Sequence, residues 1–169
     1  MKLPTNRGYT LLEAIIYIVI LAVMSVIFIS LLFTMTESFN EFRLTRALVS
    51  SASAGLERLV RETQHAATID LASNLGVHPG RLLLNTTNAA GLPTTLDFYL
   101  LAGALMVKEG TATAVPITAT GVTVDGLIFR QIVTAESTAV KMELTLSAHR
   151  GALTRAEKFY ATAVLRDSY

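Results

Sequence analysis

A long apolar run near the N-terminus constrains this 169-residue chain more than any other feature. Residues 14–33 carry no formal charge, and the carboxylate of Glu13 directly precedes them. A helix rises about 1.5 Å per residue, so about 20 apolar residues cover the roughly 30 Å hydrocarbon core of a bilayer. A secretory signal has a shorter apolar region, of about 7–15 residues, with its cleavage site after it. The sequence therefore predicts a membrane-spanning helix with an acidic side chain at its edge.

A glycine and an aromatic residue stand immediately ahead of this run. Gly8 ends a short segment that contains Lys2 and Arg7, Tyr9 follows it, and Glu13 is the fifth residue after the glycine. This order resembles the class III signal of type IV pilins and type II secretion pseudopilins. The resemblance implies that prepilin peptidase cleaves after Gly8 and that Tyr9 becomes the N-methylated first residue. Tyr9 stands where the family usually has Phe, and it also suits an interfacial aromatic anchor.

Glu13 is the side chain that we single out for assembly. A charge at the centre of a membrane helix costs about 2.5–3.5 kcal/mol on insertion scales, and less near the membrane edge. The resemblance implies that this carboxylate pairs with the positive amino terminus of an adjacent subunit, which sets the register of a filament. Such pairing would offset the burial of both charges. The alternative is an interfacial side chain that extends to water.

A helical pattern continues beyond the apolar run. No proline or glycine occurs between Gly8 and Gly55, so we predict one helix of about 55 residues, long for a globular protein. Gly55 is unfavourable in a helix interior by about 1 kcal/mol, so it predicts close packing or a bend. The predicted apolar stripe of the second half, which should cover a globular head, consists of Phe39, Phe42, Val49, Leu56, Leu59, Val60 and Thr63.

Short alternating runs after residue 68 predict strands. In 140–146, apolar residues alternate with polar ones, which indicates a sheet with one buried face. The predicted strands are Arg81–Asn85, Thr95–Leu101, Leu105–Glu109, Val122–Val124, Leu127–Ile132, Val140–Leu146 and Glu157–Leu165. The predicted fold is therefore α+β, with a long N-terminal helix packed on a C-terminal antiparallel β-sheet, which is the pilin-like fold that the resemblance implies. Its segments are a leader (1–8), a transmembrane and assembly half (9–35), an amphipathic half (36–68) and a β-rich head (69–169).

The charges on either side of the apolar run predict the orientation. Lys2 and Arg7 precede it, and Glu37 and Glu41 are the first charges after it. The positive-inside bias then places the N-terminus in the cytoplasm and the head outside, in a single-pass protein of the cytoplasmic membrane. The resemblance implies that this protein later enters a filament. A formal net charge of +1 argues against electrostatic nucleic-acid binding.

The composition argues against several kinds of site. The chain has no cysteine, which excludes disulfides and thiolate metal ligands. His65, His78 and His149 lie far apart without metal-ligand spacing, so we predict surface or loop positions for them. No nucleophile elbow, phosphate loop or paired-acid motif occurs. We therefore expect no enzyme, no cofactor and no metal.

The head sequence resembles minor pilins and J-type pseudopilins more than major pilins. The hairpin TLDFYLLAGALMVKEG carries this looser similarity, and the apolar run lacks the proline that is common in major pilins. The expected partners are prepilin peptidase, other pilin-like subunits and the cytoplasmic membrane. Pilus, secretion and competence systems stay open. Two other classes remain: a single-pass anchored binding module that does not polymerise, and a secreted enzyme with an unusual signal.

Overall fold

The computed structural model describes residues 10–88, 90–135, 137–151 and 153–165. These residues form one long helix followed by strands, which confirms the predicted α+β class. The chain divides into two compact units between Glu41 and Phe42. The elements are α1 (Leu11–His65), β1 (Thr68–Ile69), β2 (Leu82–Thr87), β3 (Pro93–Leu101), β4 (Ala104–Glu109), β5 (Val115–Pro116), β6 (Val122–Val133), β7 (Thr138–Arg150) and β8 (Leu153–Val164).

Helix α1 is continuous over 55 residues, as the absence of Gly and Pro before Gly55 predicted. It is long and apolar enough to cross a membrane, and none of its most apolar window is buried by protein. Large side chains from Leu11 to Met35 are exposed around the whole circumference of the helix. A helix that is apolar on all sides requires an apolar surrounding, either lipid or other helices.

The second unit contains two antiparallel sheets where the sequence predicted one. Strands β1 to β5 form the first sheet in chain order, and β6 to β8 form the second. The single-sheet prediction is wrong because β5 ends at Pro116 and β6 does not continue its ladder. The Val124 N–H instead donates to the carbonyl of Gly103, at 2.8 Å, so β6 meets the β3–β4 turn.

The turn between β3 and β4 confirms the predicted hairpin. Leu101 pairs with Ala104, so Ala102 and Gly103 form a two-residue loop. Both loop residues have positive φ, at 50° and 75°, as a type I′ turn requires. Gly103 adopts this conformation freely, whereas Ala102 does so at a steric cost.

The second sheet differs from the prediction in its strand lengths. The runs predicted as Val122–Val124 and Leu127–Ile132 are one strand, β6, with a bulge between Val124 and Gly126. Strand β8 begins at Leu153, earlier than the predicted Glu157. The bulge explains the interrupted pattern, because one extra residue shifts the alternation of side chains.

The apolar stripe predicted for the second half of α1 is partly wrong. Phe39, Phe42 and Val49 are 57%, 66% and 44% exposed. The buried face instead comprises Leu44, Leu48, Ser51, Ala52, Gly55, Leu59 and Thr63, so only Leu59 and Thr63 of the prediction are buried, with Leu56 and Val60 partly buried beside them. These positions recur every three or four residues, and the large exposed side chains lie off that face.

Gly55 lies where α1 contacts both sheets. An ideal Cβ at this position would lie 3.4 Å from Leu105 Cδ2 of β4 and 3.9 Å from Leu144 Cδ2 of β7. The helix thus meets both sheets at its smallest residue, and the core is formed between α1 and inward-facing strand residues such as Phe98, Phe129 and Met142.

Candidate functional site at the start of the long helix

The predicted processing residues Gly8 and Tyr9 lie outside the described residues, which begin at Thr10. Thr10 caps α1. Its hydroxyl oxygen accepts the N–H of Glu13 at 3.3 Å, and its carbonyl accepts the N–H of Ala14 at 3.1 Å. Threonine followed three residues later by glutamate is the signature of a capping box. The helix therefore begins at Leu11, close to the predicted cleavage point.

Glu13 lies in the first turn of α1. The exposed N–H groups at a helix start carry partial positive charge, which favours a carboxylate at this position. The sequence motif identified Glu13, but it did not identify the cap, although the spacing from Thr10 contains that signal. Glu13 thus has a local structural role in addition to any role in assembly.

Tyr17 is a second neighbour that sequence reasoning missed. Its hydroxyl donates to Glu13 Oε1 at 3.3 Å, one helical turn further on. Glu13 is half-buried, whereas the other described residues before Asn40 are exposed. The spacing of four residues, which places side chains on the same helix face, was the available signal.

Glu13 is the only formally charged residue between positions 10 and 36. Hydroxyl groups in this stretch bond within the helix: those of Ser25, Ser30, Thr34 and Thr36 donate to the carbonyl four residues earlier, at 2.8–3.0 Å. Their polarity is therefore compatible with lipid or with a neighbouring helix. The carboxylate is the group in this stretch that most needs an external partner in a membrane.

The three histidines lie apart, on α1, on β7 and in the segment between β1 and β2. The Nδ1 atom of His78 accepts the N–H of Leu127 at 3.1 Å, so this side chain supports β6. His65 ends α1, and His149 lies on β7 opposite Thr154. Among the residues that the structure describes, no three His, Asp or Glu side chains are grouped to hold a metal ion.

Two ion-pair clusters connect strands of the head. Arg81 binds Asp97 through two bonds, Nε to Oδ1 at 2.9 Å and Nη2 to Oδ2 at 2.6 Å. This hydrogen-bonded carboxylate raises the pKa of Arg81 above its ordinary value. Asp97 is 8% exposed, so the paired arginine, which directly precedes β2, satisfies an almost buried charge on β3.

Glu143 forms the other cluster, on the outer face of the second sheet. Its Oε1 lies 3.0 Å from Lys141 Nζ and 3.3 Å from Arg130 Nε. The hydrogen bond from Lys141 is the main cause that lowers the pKa of Glu143 from 4.5, and the positive charges of Lys141 and Arg130 add to it. The carboxylate therefore joins β6 and β7 through side chains as well as through the backbone.

An open polar cleft lies near the C-terminal end of α1. Its volume is about 290 Å³, and its lining residues are Arg58, Glu62, His65, Thr86, Thr87, Asn88, Leu96 and Glu109. Arg58 Nε lies 3.7 Å from Glu62 Oε1, beyond hydrogen-bonding distance. The cleft contains none of the residues that the sequence predicted for processing or assembly.

The start of the chain matches a known family model. Residues 3–29 match the prokaryotic N-terminal methylation motif, a range that includes Gly8, Tyr9 and Glu13 and continues into α1. The chain therefore carries a prepilin-type N-terminal signal, which fits the class III signal of pilins and pseudopilins. This motif supports a substrate of prepilin peptidase, and the apolar helix fits membrane anchoring as in pilins. No curated protein and no solved structure matches the chain significantly.

Proposed function

We propose that this chain is a structural subunit of a pilin-like filament, with a minor or priming role in a type IV pilus or a type II secretion pseudopilus. Prepilin peptidase would cleave between Gly8 and Tyr9 and methylate Tyr9. One observation carries the proposal: the methylation motif at residues 3–29 coincides with an apolar helix that begins at Leu11 and bears Glu13 in its first turn. The proposed role is structural and not catalytic.

The position of Glu13 supports pairing between subunits. Four residues separate it from Tyr9, or about 6 Å along a helix axis. In a neighbour displaced by about that distance, the new amino terminus and the carboxylate would lie at the same membrane depth. Two opposite charges in a medium of low dielectric attract strongly, and each removes the cost of leaving the other unpaired. The partners are therefore other pilin-like subunits in the cytoplasmic membrane.

The first experiment replaces Glu13. Glu13→Ala should keep membrane insertion, because it removes a charge from an apolar helix, while it lowers incorporation into filaments or capture by other pilin-like subunits. Glu13→Gln keeps the side-chain volume and loses the charge, so it should assemble as poorly as the alanine variant. Crosslinking or co-purification with partner subunits measures both. If both variants associate as well as wild type, Glu13 is only an interfacial residue and this assembly mechanism is wrong.

A second experiment tests the processing site. In cells with an active prepilin peptidase, intact-mass or N-terminal analysis should find a chain that starts at methylated Tyr9. Replacing Gly8 with a bulky residue should leave precursor in the membrane, since glycine leaves the backbone open to the peptidase. A wild-type chain that still begins at Met1 contradicts the proposal.

The same analysis separates the proposal from its main rival. A single-pass anchored binding module would keep its N-terminal segment and would not need Glu13 for association. We also propose a cytoplasmic N-terminus and a head outside, which labelling of single cysteines from either side of the membrane would test. The chain has no native cysteine to interfere.

A further inference from the structure

Strand β8 forms one edge of the second sheet, whose order is β6-β7-β8. It pairs with β7 without interruption, from Leu153 opposite Arg150 to Val164 opposite Ala139. The ladder continues at Leu165, whose N–H donates to the carbonyl of Thr138 at 2.9 Å. Hydrogen-bonded and non-hydrogen-bonded pairs alternate in an antiparallel ladder. The odd-numbered residues of β8 therefore bond to β7, and the even-numbered residues point their N–H and C=O groups away from it.

Strand β6 forms the other edge of this sheet, and some of its outward backbone groups already have hydrogen-bond partners. The carbonyl of Phe129 accepts the N–H of Gly76 at 2.7 Å, and the carbonyl of Leu127 accepts the N–H of Gly80 at 2.8 Å. The N–H of Leu127 donates to His78. Both edge strands of the first sheet, β1 and β5, are only two residues long. Within the described ranges, β8 is therefore the one long edge whose outward backbone groups have no hydrogen-bond partner.

Several features make this edge suitable for pairing. The outward-facing residues are all exposed: Thr154, Ala156, Lys158, Tyr160, Thr162 and Val164. The strand has no proline and no bulge, the devices that commonly protect an edge, and only Lys158 among these residues is charged. An edge of this kind accepts an added strand through backbone hydrogen bonds.

We propose that β8 pairs antiparallel with β8 of a second copy of this chain about a twofold axis. A second copy offers this edge and, in its described residues, no other edge of similar length. Pairing of β8 with β6 of another copy is blocked at Leu127 and Phe129. The same strand on both sides gives an interface that closes at the dimer. This inference concerns the head and does not depend on Glu13.

Side-chain charges distinguish the register centred on Phe159 from those centred on Glu157 and Lys158. Centred on Phe159, the pairing places Lys158 opposite Tyr160 of the partner subunit, and this contact occurs twice. The ring of Tyr160 already binds one cation, because Lys141 Nζ lies 5.4 Å from its centroid. In the proposed pair, Lys158 of the partner subunit would contact the opposite face of the ring. Centring the pair on Lys158 or on Glu157 would place like charges directly opposite each other, which is unfavourable.

Cysteine crosslinking of the full-length chain tests this register. In the proposed dimer Ala156 lies opposite Thr162 of the partner subunit, at the roughly 5.5 Å Cα separation of a hydrogen-bonded pair, which a disulfide can bridge. Two differently tagged copies, Ala156→Cys and Thr162→Cys, should form a mixed disulfide in membranes under mild oxidation. Ala156→Cys alone should not form a disulfide between two copies. Thr123→Cys, an exposed position on β6, should crosslink poorly to Thr162→Cys.

A proline provides the matched test of the edge. Lys158→Pro removes an outward N–H that β7 does not use, so the sheet keeps its ladder. It should lower the yield of the mixed disulfide about tenfold, whereas Lys158→Ala keeps the N–H and should lower it less. A cooperative thermal transition checks that the proline variant folds. If the proline variant does not fold, the proposal is tested by comparing the yields with which Ala156→Cys and Thr123→Cys crosslink to Thr162→Cys.

Other results would overturn the proposal. The β8 pair is excluded if the mixed disulfide is absent, or if Thr123→Cys crosslinks to Thr162→Cys as well as Ala156→Cys does. It is also excluded if a folded Lys158→Pro variant leaves the yield of the mixed disulfide unchanged. If Ala156→Cys forms a disulfide with a different protein and none with a second copy, then a second copy is not what pairs with β8. The cysteine pairs should crosslink equally in a Glu13→Ala background, so failure here is distinguishable from failure of the filament proposal.

Discussion

Among single residues, Glu13 has both an unfavourable and a favourable surrounding. It is a carboxylate in an apolar helix, and it also lies at the helix start, where Thr10 and the helix dipole suit an acid. The sequence identified Glu13 because the order of Gly, aromatic and Glu is specific. The four-residue spacing from Glu13 to Tyr17 does not by itself identify the hydroxyl of Tyr17 as a partner, because a tyrosine in an apolar run equally suits lipid contact.

The bond between Tyr17 and Glu13 gives a prediction about insertion. In an apolar surrounding the hydroxyl partly satisfies the carboxylate, so Tyr17→Phe should make insertion less favourable by about 0.5–1.5 kcal/mol, the usual net value of a hydrogen bond. The same change in a Glu13→Ala background should have little effect, because the acceptor is gone. An insertion assay on the four chains gives the coupling energy as a double-mutant cycle. Equal effects in both backgrounds contradict this role for Tyr17.

Glu143 gives a prediction about acid stability. Its pKa is lowered by Lys141 and Arg130, so the ionised carboxylate is more stable in the folded state than in the unfolded chain. The resulting stabilisation is present above the ordinary pKa of 4.5 and is lost as the pH falls below it toward the folded-state pKa. Glu143→Gln should therefore flatten the pH dependence in this window. Thermal melts at several pH values measure it, and replacing both cations with Met should have the same effect.

At the scale of elements, the sequence predicted which segments form but not how they face each other. Alternation identified β3, β4 and β7, and the absence of breakers identified α1. The predicted buried face of the helix is partly wrong because large side chains such as Phe42 lie off that face, whereas the small residues Ser51 and Gly55 lie on it. Small residues let the helix approach both sheets closely, and the sequence could not show that two sheets, and not one, lie against it.

Gly55 tests this account of the helix. An alanine Cβ would sit 3.4 Å from Leu105 Cδ2, an ordinary contact, and alanine favours a helix interior over glycine by about 1 kcal/mol. Gly55→Ala should therefore raise the thermal midpoint of the head by about 2–5 °C. Gly55→Leu should instead lower the free energy of unfolding by about 1–3 kcal/mol, because the site has no room for a larger side chain. If both substitutions stabilise, the helix does not pack closely here.

At the scale of the whole molecule, the division between Glu41 and Phe42 separates two kinds of stability. The first unit is an apolar helical segment whose side chains need lipid or other helices. The second contains a core of its own, to which α1 contributes Leu44, Leu48 and Leu59. The helix is therefore one continuous element that serves two environments, and its second part belongs to the head.

The head should accordingly fold without the membrane segment, provided that it keeps its part of the helix. A fragment of residues 36–169 retains all buried residues of α1 and begins with the polar stretch around Glu37 and Glu41. A fragment of residues 69–169 loses Leu48 and Leu59, both fully buried, among others. Deleting one such leucine side chain costs about 2–5 kcal/mol, and a small domain has only about 5–15 kcal/mol of stability. The longer fragment should be soluble, with mixed helix and strand by circular dichroism and a cooperative thermal transition, whereas the shorter one should show no such transition. A coil spectrum for residues 36–169, or equal cooperativity for residues 69–169, would show that the helix is not part of the core of the head.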